Sequence, residues 1–321
     1  MTASPAPSPA PGRARTWPDE LAYAKAGFPD ARFVVAGVPF DAAASFRFGA
    51  AEGPAAIRHA SHNLETFNLR NGVDLDDVPV HDMGNVDLDE KTPPAEMVRR
   101  VADVTGKIVA ADKFPILLGG DHGATPAAFP ALKRRYPNLG CILVDAHLSY
   151  RDAYEGIKES HACTARRVAE VVGPERLAIV GARSSGKEEW QQARRDGLRF
   201  FTTFDVQYQG MSRVLAQAAQ AIGDGPVYLS VDVDAMDPAH APATGTPEPY
   251  GLAPHDVLAA IQRFAPRMVG FDIMEVSPPH DAGTTAGLAS RLVLEAVTEV
   301  WVRRFRPQDL PGDVPKSVGR T

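Results

Sequence analysis

Two short acidic clusters in this chain carry the residue types that bind divalent cations. Asp145 and His147 follow one strand-like apolar segment, and Asp232 and Asp234 follow another. Because residues two apart in an extended strand face the same side, we expect each pair to point one way. His122 stands at the exit of a third apolar segment. Carboxylates and imidazoles that converge from three strand ends suit a pair of divalent cations.

Each fragment alone has a simpler interpretation. An aspartate at a strand end is more often a helix N-cap or a turn residue than a metal ligand. However, charges on buried strands are costly unless they are paired or coordinated. These acids do not have an equal number of Lys or Arg residues beside them. The combination therefore predicts a metal site.

The segments that position these residues alternate short apolar strands with longer amphipathic helices. This pattern predicts a parallel sheet with helices on both faces, in which ligands lie outside the carboxyl ends of the strands. The predicted strands are Arg32–Val38, Phe114–Leu118, Gly140–Val144, Leu177–Val180, Leu198–Thr202, Pro226–Val231 and Met268–Ile273. The predicted helices begin at Gly53-Pro54 and at Pro93-Pro94 and also lie near 124–135, 160–172, 211–222, 254–264 and 285–304.

Composition predicts an ordinary soluble protein. The chain has 321 residues, 44% hydrophobic and 23% charged, with a net charge of -6, and has no apolar run long enough to span a membrane. These values argue against nucleic acid and membranes as partners. Two cysteines without disulfide or zinc spacing fit a reducing compartment, so we expect the cytoplasm. We expect a disordered tail at 1–16, a single catalytic domain at 17–305 and a loose tail at 306–321.

Several short motifs follow one another along the chain, and they are Gly37–Asp41, Phe48–Ala50, Gly53-Pro54, Gly119–His122, Asp145–His147, Ser230–Pro238 and Gly270–Val276. In this order and spacing they resemble the ureohydrolase family, which includes arginase and agmatinase. The resemblance covers roughly residues 33 to 300, and the segment Ser160-His161-Ala162-Cys163 is more similar to the agmatinase branch. It implies a three-layer α/β/α sandwich, a dinuclear manganese site, and trimers or hexamers.

The resemblance also implies a ligand set. His122 and Asp145 would bind one metal, His147 and Asp234 the other, and Asp145 and Asp232 would bridge the two. Guanidinium groups resist attack by water at neutral pH. A pair of cations can lower the pKa of bound water from 15.7 to roughly 7, which yields hydroxide for attack on the guanidinium carbon.

Two further residues match family positions outside the metal ligands. His161 matches the histidine that carries a proton to the departing amine, although a surface histidine is the simpler interpretation. Glu275 matches the carboxylate that accepts hydrogen bonds from the guanidinium, although it could also be one half of a buried ion pair. Asp121 is a candidate for a supporting role beside the ligands.

One departure from the family pattern concerns Ser149, where the motif has an aspartate that binds the same metal as His122. The loss of one carboxylate should weaken that metal most. Three outcomes are open: Asp152 substitutes, a water held by Ser149 fills the position, or the site holds one metal and is slow or inactive. Gly123, where the family commonly has serine, is a smaller departure.

The leading hypothesis is a manganese-dependent hydrolase that splits agmatine into putrescine and urea, and the expected partner is a small cationic guanidino substrate. Asp152, Glu155 and Glu159 suit such a cationic tail. Guanidinobutyrate and aminopropylagmatine are alternative substrates. A second hypothesis is a catalytically impaired subunit with Ser149 as the lesion. A two-metal phosphoesterase fits less well, because no phosphate-binding glycine loop lies near these strands.

Overall fold

A computed structural model describes residues 20–306, and its centre is an eight-stranded sheet in which every neighbouring pair is parallel. The strands are β1 Phe33–Val38, β4 Val80–Asn85, β5 Phe114–Gly119, β6 Gly140–Val144, β7 Leu177–Ala182, β8 Arg199–Thr202, β9 Val227–Asp232 and β10 Met268–Met274, and a separate antiparallel pair is formed by β2 Phe67–Asn68 and β3 Val73–Asp74. The order across the large sheet is β4-β1-β5-β10-β9-β6-β7-β8.

The inner strands are buried on both faces, as their continuous apolar sequences predict. In β5, for example, Ile116 and Leu118 contact one apolar cluster, whereas Leu117 contacts the other. The sheet therefore separates two hydrophobic layers, and its strands must be covered by helices on both sides.

The helices form those two layers. Helices α1, α7, α8 and α9 contribute to one cluster, and α2, α3 and α4 contribute to the other. This arrangement confirms the predicted three-layer α/β/α sandwich. The helices are α1 Gly53–Ser61, α2 Pro94–Ala110, α3 Phe129–Arg135, α4 Thr164–Val172, α5 Lys187–Arg195, α6 Thr203–Gln209, α7 Met211–Ile222, α8 Pro254–Phe264 and α9 Thr284–Val300.

Sequence pattern missed the two-residue strands β2 and β3 and three longer elements whose sequences are largely polar. Strand β4 is an edge strand whose inward-facing Asp82 pairs with the buried Arg58, so it has no continuous apolar run. Helix α5 buries only Glu189 and Ala193, which gives no apolar stripe. Helix α6 is a short helix capped by Thr202.

Three predicted helices are composite, and the one near 160–172 begins as the 3₁₀ turn His161–Cys163 before α4. The segment near 124–135 begins as a 3₁₀ helix over His122–Ala128 and becomes α-helical only at Phe129. Pro126 lies inside the 3₁₀ part and lacks the N–H that an α-helix would use. The last helix ends in a π turn, Trp301–Phe305.

The predicted tails lie outside the described residues, apart from Arg306 at the start of the second, and the single-domain assignment of 17–305 stays a prediction. Within residues 20–306 we find no helix with the length and hydropathy needed to cross a membrane.

Candidate metal centre and active site

The sheet order brings the predicted site residues together. Strands β5, β10, β9 and β6 are neighbours, and all four run in the same direction. Their carboxyl ends therefore lie side by side at one edge of the sheet. His122, Glu275, the Asp232–Asp234 pair and the Asp145–His147 pair follow these strands in that spatial order.

The first ligand cluster consists of His122, Asp145 and Asp232, all buried. His122 Nδ1 lies 3.0 Å from Asp232 Oδ2 and 3.5 Å from Asp145 Oδ2. Within residues 20–306, this nitrogen nevertheless has no hydrogen-bond partner of acceptable geometry. A buried nitrogen that faces two carboxylates without a hydrogen bond is the arrangement expected of a metal ligand.

The other ring nitrogen of His122 is held by a polar group behind the cluster. His122 Nε2 lies 2.9 Å from Ser230 Oγ, which orients the ring so that Nδ1 faces the carboxylates. Thr125 Oγ1 lies 3.5 Å from Ser230 Oγ and donates to Asp272 Oδ2 at 2.8 Å. Such outer contacts fix the orientation of ligating histidines.

The second cluster consists of Asp145, His147 and Asp234. His147 Nδ1 lies 2.8 Å from Asp234 Oδ2 and 3.7 Å from Asp145 Oδ1. Its Nε2 lies 3.6 Å from Glu248 Oε1. Because Asp145 belongs to both clusters, the two candidate cation positions share a carboxylate.

Electrostatics in these clusters favour positive charge. Burial and the nearby charges of Asp234 and Asp145 raise the pKa of Asp232 well above its ordinary value. Burial opposes the protonation of His122, but its contacts with Asp145 and Asp232 raise its pKa well above 6.5. Protonated histidine thus supplies charge that a cation would supply in the loaded protein. The oxygen-rich donor set and the unpartnered His122 Nδ1 both fit a divalent metal centre.

Ser149 lies at this centre and is buried. Its hydroxyl donates to Asp145 Oδ2 at 3.0 Å, so it orients a shared carboxylate without adding a charge. The outcome in which Asp152 substitutes is wrong in this structure: Asp152 is exposed and accepts from Arg167 Nη2 at 2.9 Å. Asp152 and Glu155 are both exposed, so the expected acidic surroundings for a cationic tail are not formed by them.

Glu275 occupies a strained position directly after β10. Its φ is +66°, a conformation that is uncommon for residues other than glycine. Its Oε1 accepts from the backbone N–H of His122 at 2.7 Å, and its own N–H donates to the Gly120 carbonyl at 2.9 Å. Burial, reinforced by Asp121, raises the pKa of Glu275 to about 7.

His161 begins the 3₁₀ turn His161–Cys163 and lies beside Glu275 and Asp121. Its Nδ1 lies 3.4 Å from Asp121 Oδ2, and its Nε2 lies 3.2 Å from Ser45 Oγ. Burial opposes its protonation, but the contact with Asp121 raises the pKa of His161 to about 9. The imidazole can therefore carry a proton at neutral pH.

These groups open into a cavity of about 320 Å³. Sequence reasoning missed several of its lining residues because they come from loops and carry no motif of their own. Thr246, for example, lies 3.4 Å from Asp234 Oδ2, twelve residues along the chain. The lining residues are Ser45, His147, Ser149, Arg151, Tyr154, His161, Ala162, Ser184, Ser185, Gly186, Glu189, Asp232, Asp234, Thr246 and Glu275.

Comparisons with known proteins agree with this geometry. A profile of the Arginase family matches residues 31–298. The agmatinase of Bacillus cereus is 34% identical over 283 residues, covering 86% of this chain and 94% of the relative. The guanidinobutyrase of Pseudomonas aeruginosa is also 34% identical, covering 83% of this chain and 85% of the relative.

A solved structure gives the same result. The agmatine ureohydrolase of Thermoplasma volcanium superposes with a TM-score of 0.83 at 36% identity, covering 88% of this chain and 94% of that one. These matches confirm the resemblance that the motifs predicted. The chain belongs to the arginase family, on its agmatinase-like branch.

Proposed function

We propose that this protein hydrolyses agmatine to putrescine and urea at the metal centre described above, a reaction that belongs to polyamine biosynthesis. The observation that carries the proposal is the pair of acid–histidine clusters that share Asp145, below a cavity that also exposes His161 and Glu275. The agmatinases among its relatives support this substrate.

Each of the two residue clusters would hold one cation. His122, Asp145 and Asp232 would hold one divalent cation, and His147, Asp145 and Asp234 would hold the second. A bound cation pair lowers the pKa of water and so supplies a nucleophile at neutral pH. Two of these carboxylates also hold the backbone beneath the cavity in place. Asp145 accepts a hydrogen bond from the backbone N–H of His147, and Asp232 accepts one from the backbone N–H of Asp234.

Glu275 and His161 act on the substrate. The Glu275 carboxylate would accept hydrogen bonds from the guanidinium NH₂ groups, which would place the guanidinium carbon over the clusters. Its pKa near 7 falls when a guanidinium cation binds beside it, because an opposite charge favours the ionised carboxylate. His161 would donate a proton to the amine nitrogen as the carbon–nitrogen bond breaks.

A guanidino acid such as guanidinobutyrate is the second candidate substrate. Arg151 lines the cavity, its guanidinium lies 5.4 Å from the Tyr154 ring centroid, and its Nε lies 3.5 Å from Glu189 Oε2. A carboxylate tail would gain an ion pair with Arg151, whereas an ammonium tail would be repelled. The guanidinobutyrase among the relatives supports this candidate.

We also propose Mn²⁺ as the native metal, because carboxylate-rich sites suit this ion. Each chain would bind two ions, or one ion if Ser149 leaves the first cluster with too low an affinity. A homotrimer or homohexamer is proposed on the support of large apolar side chains at the surface, such as Leu69 at 89% exposure. Two free, buried cysteines support a cytoplasmic location.

The test measures bound metal and urea release on one sample. The protein is loaded with Mn²⁺, dialysed and assayed for metal per chain and for urea from agmatine and from guanidinobutyrate. Two metals and urea would support the enzyme; one or none without urea would favour the impaired subunit. Asp232→Ala should lose metal and urea together, and an active, metal-replete Asp232→Ala protein would refute the site.

Arg151→Gln tests whether Arg151 faces the substrate tail. Removal of the cation should raise the KM for guanidinobutyrate and lower the KM for agmatine, because the attraction of the carboxylate tail and the repulsion of the ammonium tail are both lost. Unchanged KM values for both compounds would show that Arg151 does not contact the tail, and the kcat/KM of wild type for each compound identifies the preferred substrate.

A further inference from the structure

Both ring nitrogens of His161 have polar neighbours, and the two neighbours differ in kind. Nδ1 faces Asp121 Oδ2 at 3.4 Å, and Nε2 faces the Ser45 hydroxyl at 3.2 Å. An ionised carboxylate can only accept hydrogen bonds, whereas a hydroxyl can donate or accept. The neighbours therefore favour a proton on Nδ1 and leave Nε2 on the side of the cavity-lining Ser45.

Asp121 is itself held rigidly. Its side chain is buried, and its Oδ1 accepts from the backbone N–H of Gly123 at 2.8 Å. Its own N–H donates to the Phe40 carbonyl at 2.7 Å. With one oxygen occupied by Gly123, the other is the one presented to His161. Asp121 belongs to neither of the two clusters that would hold the cations, and its carboxylate groups instead with His161 and Glu275.

Gly123 lets the His161 segment approach this carboxylate. A Cβ added at Gly123 would lie 2.2 Å from the carbonyl oxygen of Glu159 and 2.9 Å from Asp121 Oδ1. Only a residue without a side chain permits this backbone-to-backbone contact. The contact places the chain two residues before His161 directly against the turn that holds Asp121.

We propose that Asp121 is the positioning residue for His161, and that it fixes the imidazole with Nδ1–H directed at its carboxylate and Nε2 directed at the substrate. This proposal rests on the proposed amidinohydrolase function. In the reaction, the imidazolium Nε2–H bond breaks as the proton passes to the departing amine nitrogen, whose bond to the guanidinium carbon breaks at the same time. The neutral imidazole that remains keeps its proton on Nδ1, and Asp121 accepts a hydrogen bond from this Nδ1–H group.

The test is Asp121→Asn, made in wild type and in His161→Ala. The asparagine oxygen still accepts from the Gly123 N–H, so the NH₂ group of the asparagine must face His161 Nδ1. This NH₂ group and the Nδ1–H group are both hydrogen-bond donors, so they cannot bond to each other. With agmatine as substrate, kcat should fall by about 10²-fold or more while KM stays nearly unchanged. In the His161→Ala background the same change should have almost no effect, because its target is gone.

A purely structural role would lower kcat by the same factor in both backgrounds, and that result would overturn the proposal. Loss of bound Mn²⁺ in Asp121→Asn would also overturn it, because the residue would then act on the neighbouring ligand His122. Asp74→Asn is the matched control: Asp74 accepts a backbone N–H two residues on, at an exposed turn, and should leave kcat unchanged.

If the Asp121→Asn variant does not fold, a measurement on the unmutated protein still tests the proposal. In wild type loaded with the diamagnetic ion Zn²⁺ and held above pH 9, where the His161 ring is neutral, nitrogen NMR reports the tautomer of each neutral histidine. His161 is assigned from its loss in His161→Ala. A proton on Nδ1 supports the proposal, and a proton on Nε2 overturns it. If wild type releases no urea, the proposed function fails, but this tautomer still tests Asp121.

Discussion

Replacing Ser149 with aspartate should destabilise the metal-free protein and strengthen its metal binding. Ser149 Oγ lies 3.0 Å from Asp145 Oδ2, so a carboxylate at this position would face an existing carboxylate at close range. Ser149 has a φ of +47°, a conformation in which aspartate and asparagine are more common than most residues. The substitution therefore changes charge without adding backbone strain.

Two estimates give the size of the effect. Two like charges about 4 Å apart repel by about 4 kcal/mol at an effective dielectric constant of 20. Keeping one aspartate protonated at pH 7 instead, against an ordinary pKa of about 3.9, also requires about 4 kcal/mol. Because buried groups relax, we expect the metal-free Ser149→Asp protein to lose about 2–4 kcal/mol of unfolding free energy.

Metal should reverse the effect. The added carboxylate can bind the cation held by His122, and we expect its affinity for Mn²⁺ to rise by at least about tenfold, or about 1.4 kcal/mol. The assay pairs urea-induced unfolding of chelator-treated protein with calorimetric titration of Mn²⁺. Ser149→Asn is the matched control, since it has nearly the same shape and no charge.

The reasoning fails if Ser149→Asp and Ser149→Asn are equally stable without metal and bind Mn²⁺ equally well. Activity measured on the same proteins separates the two functional hypotheses. A rise by orders of magnitude from near zero in Ser149→Asp would show that the native chain is catalytically impaired. A small change would show that the native site works with serine.

Other predictions concern the proton donor, the outer contacts of the ligands and the core. Because the pKa of His161 is raised to about 9, its proton is retained below that pH and lost above it. The kcat for urea release should therefore fall as the pH rises through about 9. The substitution His161→Ala should lower kcat about 10²- to 10⁴-fold while the metal is retained. Ser230→Ala should weaken Mn²⁺ binding about 10- to 100-fold, as measured by calorimetry, because the ligand histidine loses its orienting partner. Ser290→Ala, at a buried hydroxyl without a hydrogen bond, should leave the affinity unchanged. Arg58→Ala should cost about 3–5 kcal/mol in urea unfolding, because the buried Asp82 loses its bidentate partner; an unchanged midpoint would contradict this.

The candidate metal ligands could be selected from the sequence because each lies in a local pattern. Asp145 directly follows β6 and Asp232 ends β9, as expected from the apolar segments before them. Asp234 lies in the 3₁₀ turn Val233–Ala235, so the turn after the strand, and not the expected strand alternation, places it at the site. The adjacency of those strands could not be predicted in the same way. Strand β10, the last along the chain, lies between β5 and β9, and this order results from long crossover connections that leave no local signal.

Asp121 was predicted to have a supporting role, but the roles of Ser45 and Ser230 could not be predicted because they arise only from tertiary contacts. Ser45 meets His161 across 116 positions of sequence, and Ser230 meets His122 across 108. Neither serine is distinguishable from an ordinary turn or strand residue by its neighbours. For Asp152 the sequence suggested a role that the structure does not show. Asp152 is close to the candidate ligands in sequence, but its carboxylate accepts a hydrogen bond from Arg167.

On the proposed ligand set, the departure at Ser149 should affect metal occupancy more than substrate binding. Glu275 keeps a backbone conformation that costs about 1–3 kcal/mol and persists only where the surroundings impose it. Those surroundings are the Gly120 carbonyl and the His122 N–H, on the strand exit that also carries a metal ligand. The carboxylate proposed to bind the substrate thus shares its backbone support with the first cluster. A working enzyme with this arrangement should therefore gain activity as Mn²⁺ is raised until the weaker position fills, whereas an impaired subunit should stay inactive at every Mn²⁺ concentration.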